Sequence, residues 1–365
     1  MDSKFIVQRG CLYNTIEALK KKKITIGFLG GSITEAKDYQ RWSENVVNWF
    51  VSTFPDTAVD VENAAIGGTG SDSAVFRVER DIINRGCALV FLEYAVNDED
   101  KPAEIRKRAR EGLLRKLLKS GHTDVIITYS FNQNMYTYLI KGELPETIAE
   151  FELLAEHYMI SSVFMGSYAL NELKSGKLRW EEWLPDGLHP QHMGSYIYSL
   201  PVAELLESEL IKPENTKKML CGKQLPKAMD EDNWEKAAVL PFEEVQRIGR
   251  WRLYRASALP FVDRILRTAA IGSRLSFEFE GKGFCMTFDF GWFSSEYKYR
   301  IDGCEWLDSN RKRPEWISGG GWLRTDIVAY DLKYGRHSVE VEVTHGNGDL
   351  CKGSNFELCG IGIVK

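Results

Sequence analysis

No run of the roughly 18 apolar residues that a bilayer span needs occurs in this 365-residue sequence, so no segment reads as a membrane helix. The first 23 residues also lack the uninterrupted apolar core of a secretory signal. Cysteines number seven, odd and without paired spacing, which argues against a disulfide framework and fits a reduced compartment. A cytoplasmic location is therefore expected. Clusters of Cys and His at metal-ligand spacing are missing: the nearest histidine pair, His189 and His192, has no further ligand close by. No metal or cofactor is expected. An excess of basic charge is missing too, because 47 Lys and Arg stand against 52 Asp and Glu, for a net charge of -5. Without a basic stripe, nucleic acid is not an expected partner. The run Lys20 to Lys23 reads as a solvated helix end.

What the sequence does have is apolar content, 44% of its residues, and enough length for two domains with a large buried core. Its organising stretch is Ile24-Thr25-Ile26-Gly27-Phe28-Leu29-Gly30-Gly31-Ser32. A mostly apolar run without a polar face suits a parallel strand covered on both sides. It stops at a glycine pair and delivers Ser32 to the carboxyl end of the strand, where open α/β sheets bind ligands. Taken alone, Ser32 reads equally well as a helix cap. The alternation continues through strands at 59–65, 88–96, 125–129 and 162–165, with helical patterns between them. Leu12, Ile16 and Leu19 mark a helix before the first strand. Such an order implies a parallel sheet with helices on both faces, closing near Ile211.

Candidate chemistry collects at the ends of these strands. Asp186-Gly187-Leu188-His189 places a carboxylate three residues before an imidazole, close enough to hold Nδ1 and leave Nε2 for a serine proton. Gly68, ending the second strand, is a backbone donor for an oxyanion or simply a turn glycine. Asn97, ending the third, is a side-chain donor or a helix cap. Trp180 and Trp183, just before Asp186, are candidates for an aromatic ligand platform, with core packing the plainer reading. His122, His157 and His192 read as loop, helix and helix-start residues. Arg77, Arg80 and Asp81 read as a salt-bridged helix face, with Arg77 as the alternative ligand-contacting residue among them.

These residues resemble the four blocks of the SGNH (GDSL-type) hydrolases: Gly30-Gly31-Ser32, Asn63 to Gly68, Val96-Asn97-Asp98, and Asp186 to Pro190. The match spans about the first 210 residues in the family's order. It implies a flavodoxin-like three-layer α/β domain with a parallel sheet. It also implies Ser32, Asp186 and His189 as catalytic residues, and Ser32, Gly68 and Asn97 as the oxyanion hole. Two positions depart from the family. Gly31 stands where Asp is usual and Val96 where Gly is usual, and both are candidate substrate-contacting residues.

Residues 1–211 thus form the expected catalytic domain and 212–235 a polar linker along the surface. Residues 236–365 form an all-β sandwich, jelly-roll-like, with strands at 274–280, 283–290, 296–302, 324–332, 337–344 and 356–364. Asp302-Gly303 is a hairpin signal. Trp316 and Trp322, flanking a glycine triplet, are the aromatics expected to be exposed. This half resembles the carbohydrate-binding sandwiches appended to carbohydrate esterases. Together the resemblances imply a serine esterase removing O-acetyl groups from hemicellulose oligosaccharides, mannan or xylan, through an acyl-enzyme. The alternatives are a lipid or thioester acyl hydrolase on the same triad and a non-catalytic glycan-binding protein. An acetylated oligosaccharide is the expected partner; the oligomeric state, a homodimer included, is left open.

Overall fold

The computed structural model describes residues 4–36, 41–211, 225–255, 262–311, 313–314, 321–347 and 352–365. The chain divides into two compact units, Met1–Glu235 and Lys236–Lys365. In the first unit the order begins β1 (Ile6–Val7), α1 (Tyr13–Lys20), β2 (Lys23–Gly30), α2 (Ser32–Glu35), α3 (Trp42–Thr53), β3 (Ala58–Asn63) and α4 (Ser71–Asp81). It continues with β4 (Leu89–Glu93), α5 (Ala103–Lys119), β5 (Asp124–Thr128), α6 (Tyr136–Leu139) and α7 (Glu146–His157). It closes with β6 (Ser161–Val163), α8 (Met165–Lys174), α9 (Trp180–Trp183) and α10 (His192–Leu210).

The sheet runs β1-β6-β5-β4-β2-β3. From β2 to β6 every neighbouring pair is parallel. Helices α3, α8 and α10 pack with one another, and α4, α5 and α7 form a second set. The central strands β4 and β5 are buried along their whole length, as their apolar runs require. The two-residue β1 pairs antiparallel with β6, so the sheet is mixed at one edge rather than purely parallel.

Order matters more than strand count. The order of strand addition reverses at β2, since β3 is added on one side of it and β4 on the other, which makes the carboxyl ends of β2 and β4 the topological switch point of the sheet. A crevice opens at such a point because the following segments leave in opposite directions. Ser32 follows β2 and Asn97 follows β4.

The expected linker is, over residues 225–235, part of the first unit. Glu111 of α5 accepts the backbone N–H groups of Met229 and Asp230 at 2.6 and 2.8 Å. Trp234 is fully buried, with its ring 5.8 Å from that of Phe76.

The second unit contains β7 (Ala238–Leu240), β8 (Gln246–Ile248), β9 (Arg252–Tyr254), β10 (Ile265–Thr268), β11 (Arg274–Gly281) and β12 (Gly283–Phe290). After these come β13 (Glu296–Ile301), β14 (Leu307–Asp308), β15 (Trp322–Ala329), β16 (Gly335–Thr344) and β17 (Phe356–Val364). One antiparallel sheet runs β15-β12-β17-β10-β9, with β7 also on β17; the other runs β14-β13-β16-β11-β8. Their inner faces build a sandwich core that includes Phe277, Phe279, Phe284, Phe288, Tyr297 and Phe356. On β16, Val339, Val341 and Val343 point inward, while Glu340 and Glu342 pair across the outer face with Arg300 and Arg274. Asp302 and Gly303 turn the chain after β13 at φ 51° and 71°.

Candidate active site

Strand β2 ends in a turn that leaves no room for a side chain. A Cβ on Gly31 would lie 1.8 Å from Asn97 Oδ1 and 2.7 Å from its Nδ2, so the Asn97 carboxamide rests directly on the Gly31 backbone. The usual Asp of the resemblance would clash there. Gly31 is therefore covered by Asn97 rather than presented to a ligand. Ser32 opens the single-turn α2, whose Thr34 and Glu35 N–H groups donate to the Gly31 carbonyl at 3.1 and 2.9 Å.

The segment after β3 is stitched to this turn. Asn63 Nδ2 donates to Thr34 O at 3.1 Å, Ile66 N–H to Gly30 O at 3.1 Å, and Gly67 N–H to Glu35 Oε2 at 2.7 Å. Gly68 follows in the left-handed region at φ 70°. A Cβ built on Gly67 would be 3.4 Å from Ser32 Cβ, so this loop lines the Ser32 turn.

Asn97 is held from behind by Asp98. That buried carboxylate accepts Ser71 N–H and Ser71 Oγ, each at 2.8 Å, and Arg110 Nε at 2.7 Å. An ion pair buried on both sides gives little net stability, but losing one partner strands a charge, so it fixes geometry.

The last component lies between α9 and α10. Asp186 Oδ2 is 2.7 Å from His189 Nδ1, and Oδ1 accepts the N–H groups of His189 and Leu188 at 2.7 and 2.9 Å. Partial burial pushes the Asp186 carboxyl up, but these hydrogen bonds and the imidazole outweigh it and hold it below the usual carboxylate range. As an ionised acceptor, Asp186 assigns the hydrogen to Nδ1 and leaves Nε2 to accept. Ser32 Oγ lies 2.8 Å from that Nε2. A hydroxyl, an imidazole and an ionised carboxylate in series can transfer a proton away from the oxygen as it attacks a carbonyl.

No protein-family model and no curated protein matches the chain. Among solved structures, a two-domain esterase (CEX) active on acetylated mannans superposes with a TM-score of 0.82 at 23% identity, over 98% of this chain and 97% of its own. The same esterase co-crystallised with mannopentaose gives 0.81, over 98% and 96%. This chain has the fold of a two-domain esterase. Axe2, an acetylxylan esterase from Geobacillus stearothermophilus, is 18% identical over 52% of this chain and 94% of its own, with a TM-score of 0.42.

Within that fold the aromatic candidates separate. Trp183 is fully buried and stacks on Phe131 with centroids 4.9 Å apart, so it belongs to the core and offers no platform. Trp180 is half-buried against the edges of Phe131 and Trp183. Trp322 is half-buried against the sandwich core rather than exposed, and Trp316 lies outside the described residues. Val96 is half-buried next to Asn97. Arg77 is buried, donating to Ala64 O and pairing with Asp81 at 3.0 Å, and so cannot reach a sugar.

Three features escaped the sequence reading. Glu35 holds the Gly67 N–H. The segment after β5 is pinned to the Asp186–His189 loop, since Gln133 N–H donates to Gly187 O at 2.8 Å and leaves Gln133 and Asn134 exposed beside it. Glu93, a fully buried carboxyl at the end of β4, lies under the Ser32 turn. A lone acid in an otherwise apolar strand was the signal for the last. Among the described residues, no group of three or more His, Cys, Asp or Glu could hold a metal ion.

Proposed function

We propose that the chain is an SGNH-type serine esterase that removes O-acetyl groups from acetylated oligosaccharides. The carrying observation is the unbroken series Ser32 Oγ, His189, Asp186, at 2.8 and 2.7 Å. Ser32 Oγ attacks the acetyl carbonyl while His189 Nε2 takes its proton, and Asp186 stabilises the imidazolium that results. The N–H groups of Ser32 and Gly68 with the Asn97 amide receive the oxyanion. Collapse expels the sugar oxygen, which takes the proton from Nε2, and leaves an acetyl-serine. Water, deprotonated by the same nitrogen, then releases acetate.

The substrate reading draws on three supports. The mannan-active esterase shares the whole two-unit architecture. Val96 brings β-branched bulk to the Asn97 side of the site, which favours a small acyl group. The exposed amides of Gln133 and Asn134, beside the Asp186–His189 loop, suit sugar hydroxyls.

Ser32→Ala decides the nucleophile. Turnover of 4-nitrophenyl acetate should fall by several orders of magnitude with the fold intact; a folded variant keeping a tenth of the activity would remove Ser32 from this role. Mass detection of acetate loss from acetylated mannan and xylan oligosaccharides tests the substrate class. The acyl-chain series separates the lipid alternative, for which rates would climb from acetate to octanoate instead of falling.

A further inference from the structure

The Glu93 carboxyl is fully buried where β4 ends. It accepts the Thr34 hydroxyl at 3.0 Å, the Ser130 hydroxyl at 2.5 Å and the Gly31 N–H. Two of these donors straddle Ser32: Gly31 precedes it and Thr34 is two residues beyond. The third comes from the segment after β5. A single side chain thus ties the nucleophile turn to the two central strands, through hydroxyls and an amide rather than a cation.

We propose that Glu93 is the positioning residue of the nucleophile turn, and that the site is fully active only while this carboxyl is ionised. The inference rests on the reading of Ser32 as nucleophile.

The reason is the count of donors and acceptors. An ionised carboxylate accepts all three groups at once; a protonated one must itself donate. The Gly31 N–H cannot reverse its role. Thr34 Oγ1 already accepts Trp42 Nε1 at 3.2 Å, so turning it from donor to acceptor crowds a second hydrogen onto it. Protonation therefore either reverses the Ser130 bond, changing the tie between the turn and the segment after β5, or breaks one within two residues of Ser32, where small displacements are costly in rate.

Burial lifts the Glu93 carboxyl to about 7; the bonds from Ser130, Thr34 and Gly31 oppose that rise, and Asp98 adds to it. The titratable groups facing it are Asp98, already bound by Arg110, and the buried hydroxyls of Tyr94 and Tyr198. The proton that leaves Glu93 goes to solvent, and no other chemistry is required.

The test is the pH profile of kcat/KM for 4-nitrophenyl acetate. Glu93 must lose a proton for wild-type activity in addition to what the triad requires, so the acid limb should fall more steeply than a single ionisation gives, with a slope above about one. Glu93→Gln should reduce that slope to about one and lower kcat on the order of tenfold to a hundredfold, with KM little changed. Ser130→Ala, which strips one donor from the carboxylate, should move the acid limb to higher pH; it carries the test if Glu93→Gln does not fold. An unchanged slope in Glu93→Gln with kcat within about twofold of wild type, or an unmoved limb in Ser130→Ala, overturns the proposal. Ser32→Ala separates the two readings. Hydrolysis surviving that change removes the nucleophile, whereas Ser32-dependent hydrolysis with a wild-type profile in Glu93→Gln removes only the role of Glu93.

Discussion

At the scale of single residues, the site combines one open group with several enclosed ones. His189 is about half exposed, at 44% of its side chain, while Asp98 and Glu93 are completely enclosed. The reacting atoms thus meet solvent while their supports do not. On the proposed mechanism, Asn97→Ala removes an oxyanion donor and leaves Ser32, His189 and Asp186 in place, and should lower kcat by about 10²–10³ with KM little changed. Steady-state kinetics on an aryl acetate check this; a raised KM with kcat intact would make Asn97 a binding or capping residue. Glu93 makes a different prediction, for stability. Its carboxyl rises from the ordinary 4.5 to about 7, so between those values the folded chain holds a proton that the unfolded chain has lost. Stability is greatest below the unfolded value and falls as pH rises through the folded one, by about 3 kcal/mol in all. Glu93→Gln never ionises and escapes that loss. The denaturation midpoint of wild type relative to Glu93→Gln should therefore drop as pH goes from about 5 to about 8; a constant difference would mean that Glu93 does not titrate there. Ionisation would then weaken the fold while ordering the nucleophile turn, a trade common at functional sites.

At the scale of elements, α5 is the instructive case. It carries Arg106, Arg108, Arg110, Arg115 and Lys116, and all five are buried. They are matched by Glu150 at 2.6 Å, Asp98 at 2.7 Å and Glu79 at 3.1 Å, and by Asp230 and Glu235 of the covering segment. That segment, 225–235, crosses α5 where Gly112 leaves space: a Cβ there would be 2.4 Å from the Trp234 backbone. Trp234→Ala should destabilise the first unit by about 3–5 kcal/mol, read as a lower denaturation midpoint; a loss below about 1 kcal/mol would make the segment a surface passenger. The same contrast explains what the sequence made legible. Strands such as β4 and β5 announce themselves because burial on both faces demands an unbroken apolar run, and Ser32, Asn97 and His189 were legible because they end such elements or follow Pro and Gly. The covering segment was not, since one tryptophan among polar residues has no period. Nor were β1 and β7 to β10, whose two to four residues are too few for alternation to register and, in β8 and β9, show no buried face. Trp183 misled for a related reason: adjacency to Asp186 in sequence says nothing about which way a ring points.

At the scale of the whole molecule, each unit has its own core, with the apolar layers around β4 and β5 in one and the sandwich interior in the other. Separate cores mean that the second unit can be removed without emptying the first, provided the cut respects the boundary. Ending the chain at Ile211 would take away residues 225–235 and the contacts they make with Glu111 and Arg115, leaving those two buried groups with Tyr158; ending it at Glu235 keeps the contacts. The two truncations should therefore differ sharply in stability, with 1–235 folded and 1–211 prone to aggregate. The longer form then becomes the test of what the sandwich contributes. In an acetylated oligosaccharide, the proposed substrate, the acetyl group offers little binding area, so affinity would come from the carbohydrate. If the sandwich supplies part of it, 1–235 should keep its rate on 4-nitrophenyl acetate and lose rate on acetylated oligosaccharides, chiefly through KM. Equal loss on both substrates would make the second unit a scaffold for the first. Full retention on both would assign carbohydrate recognition to the first unit alone, with Gln133 and Asn134 beside the Asp186–His189 loop as the residues to change next.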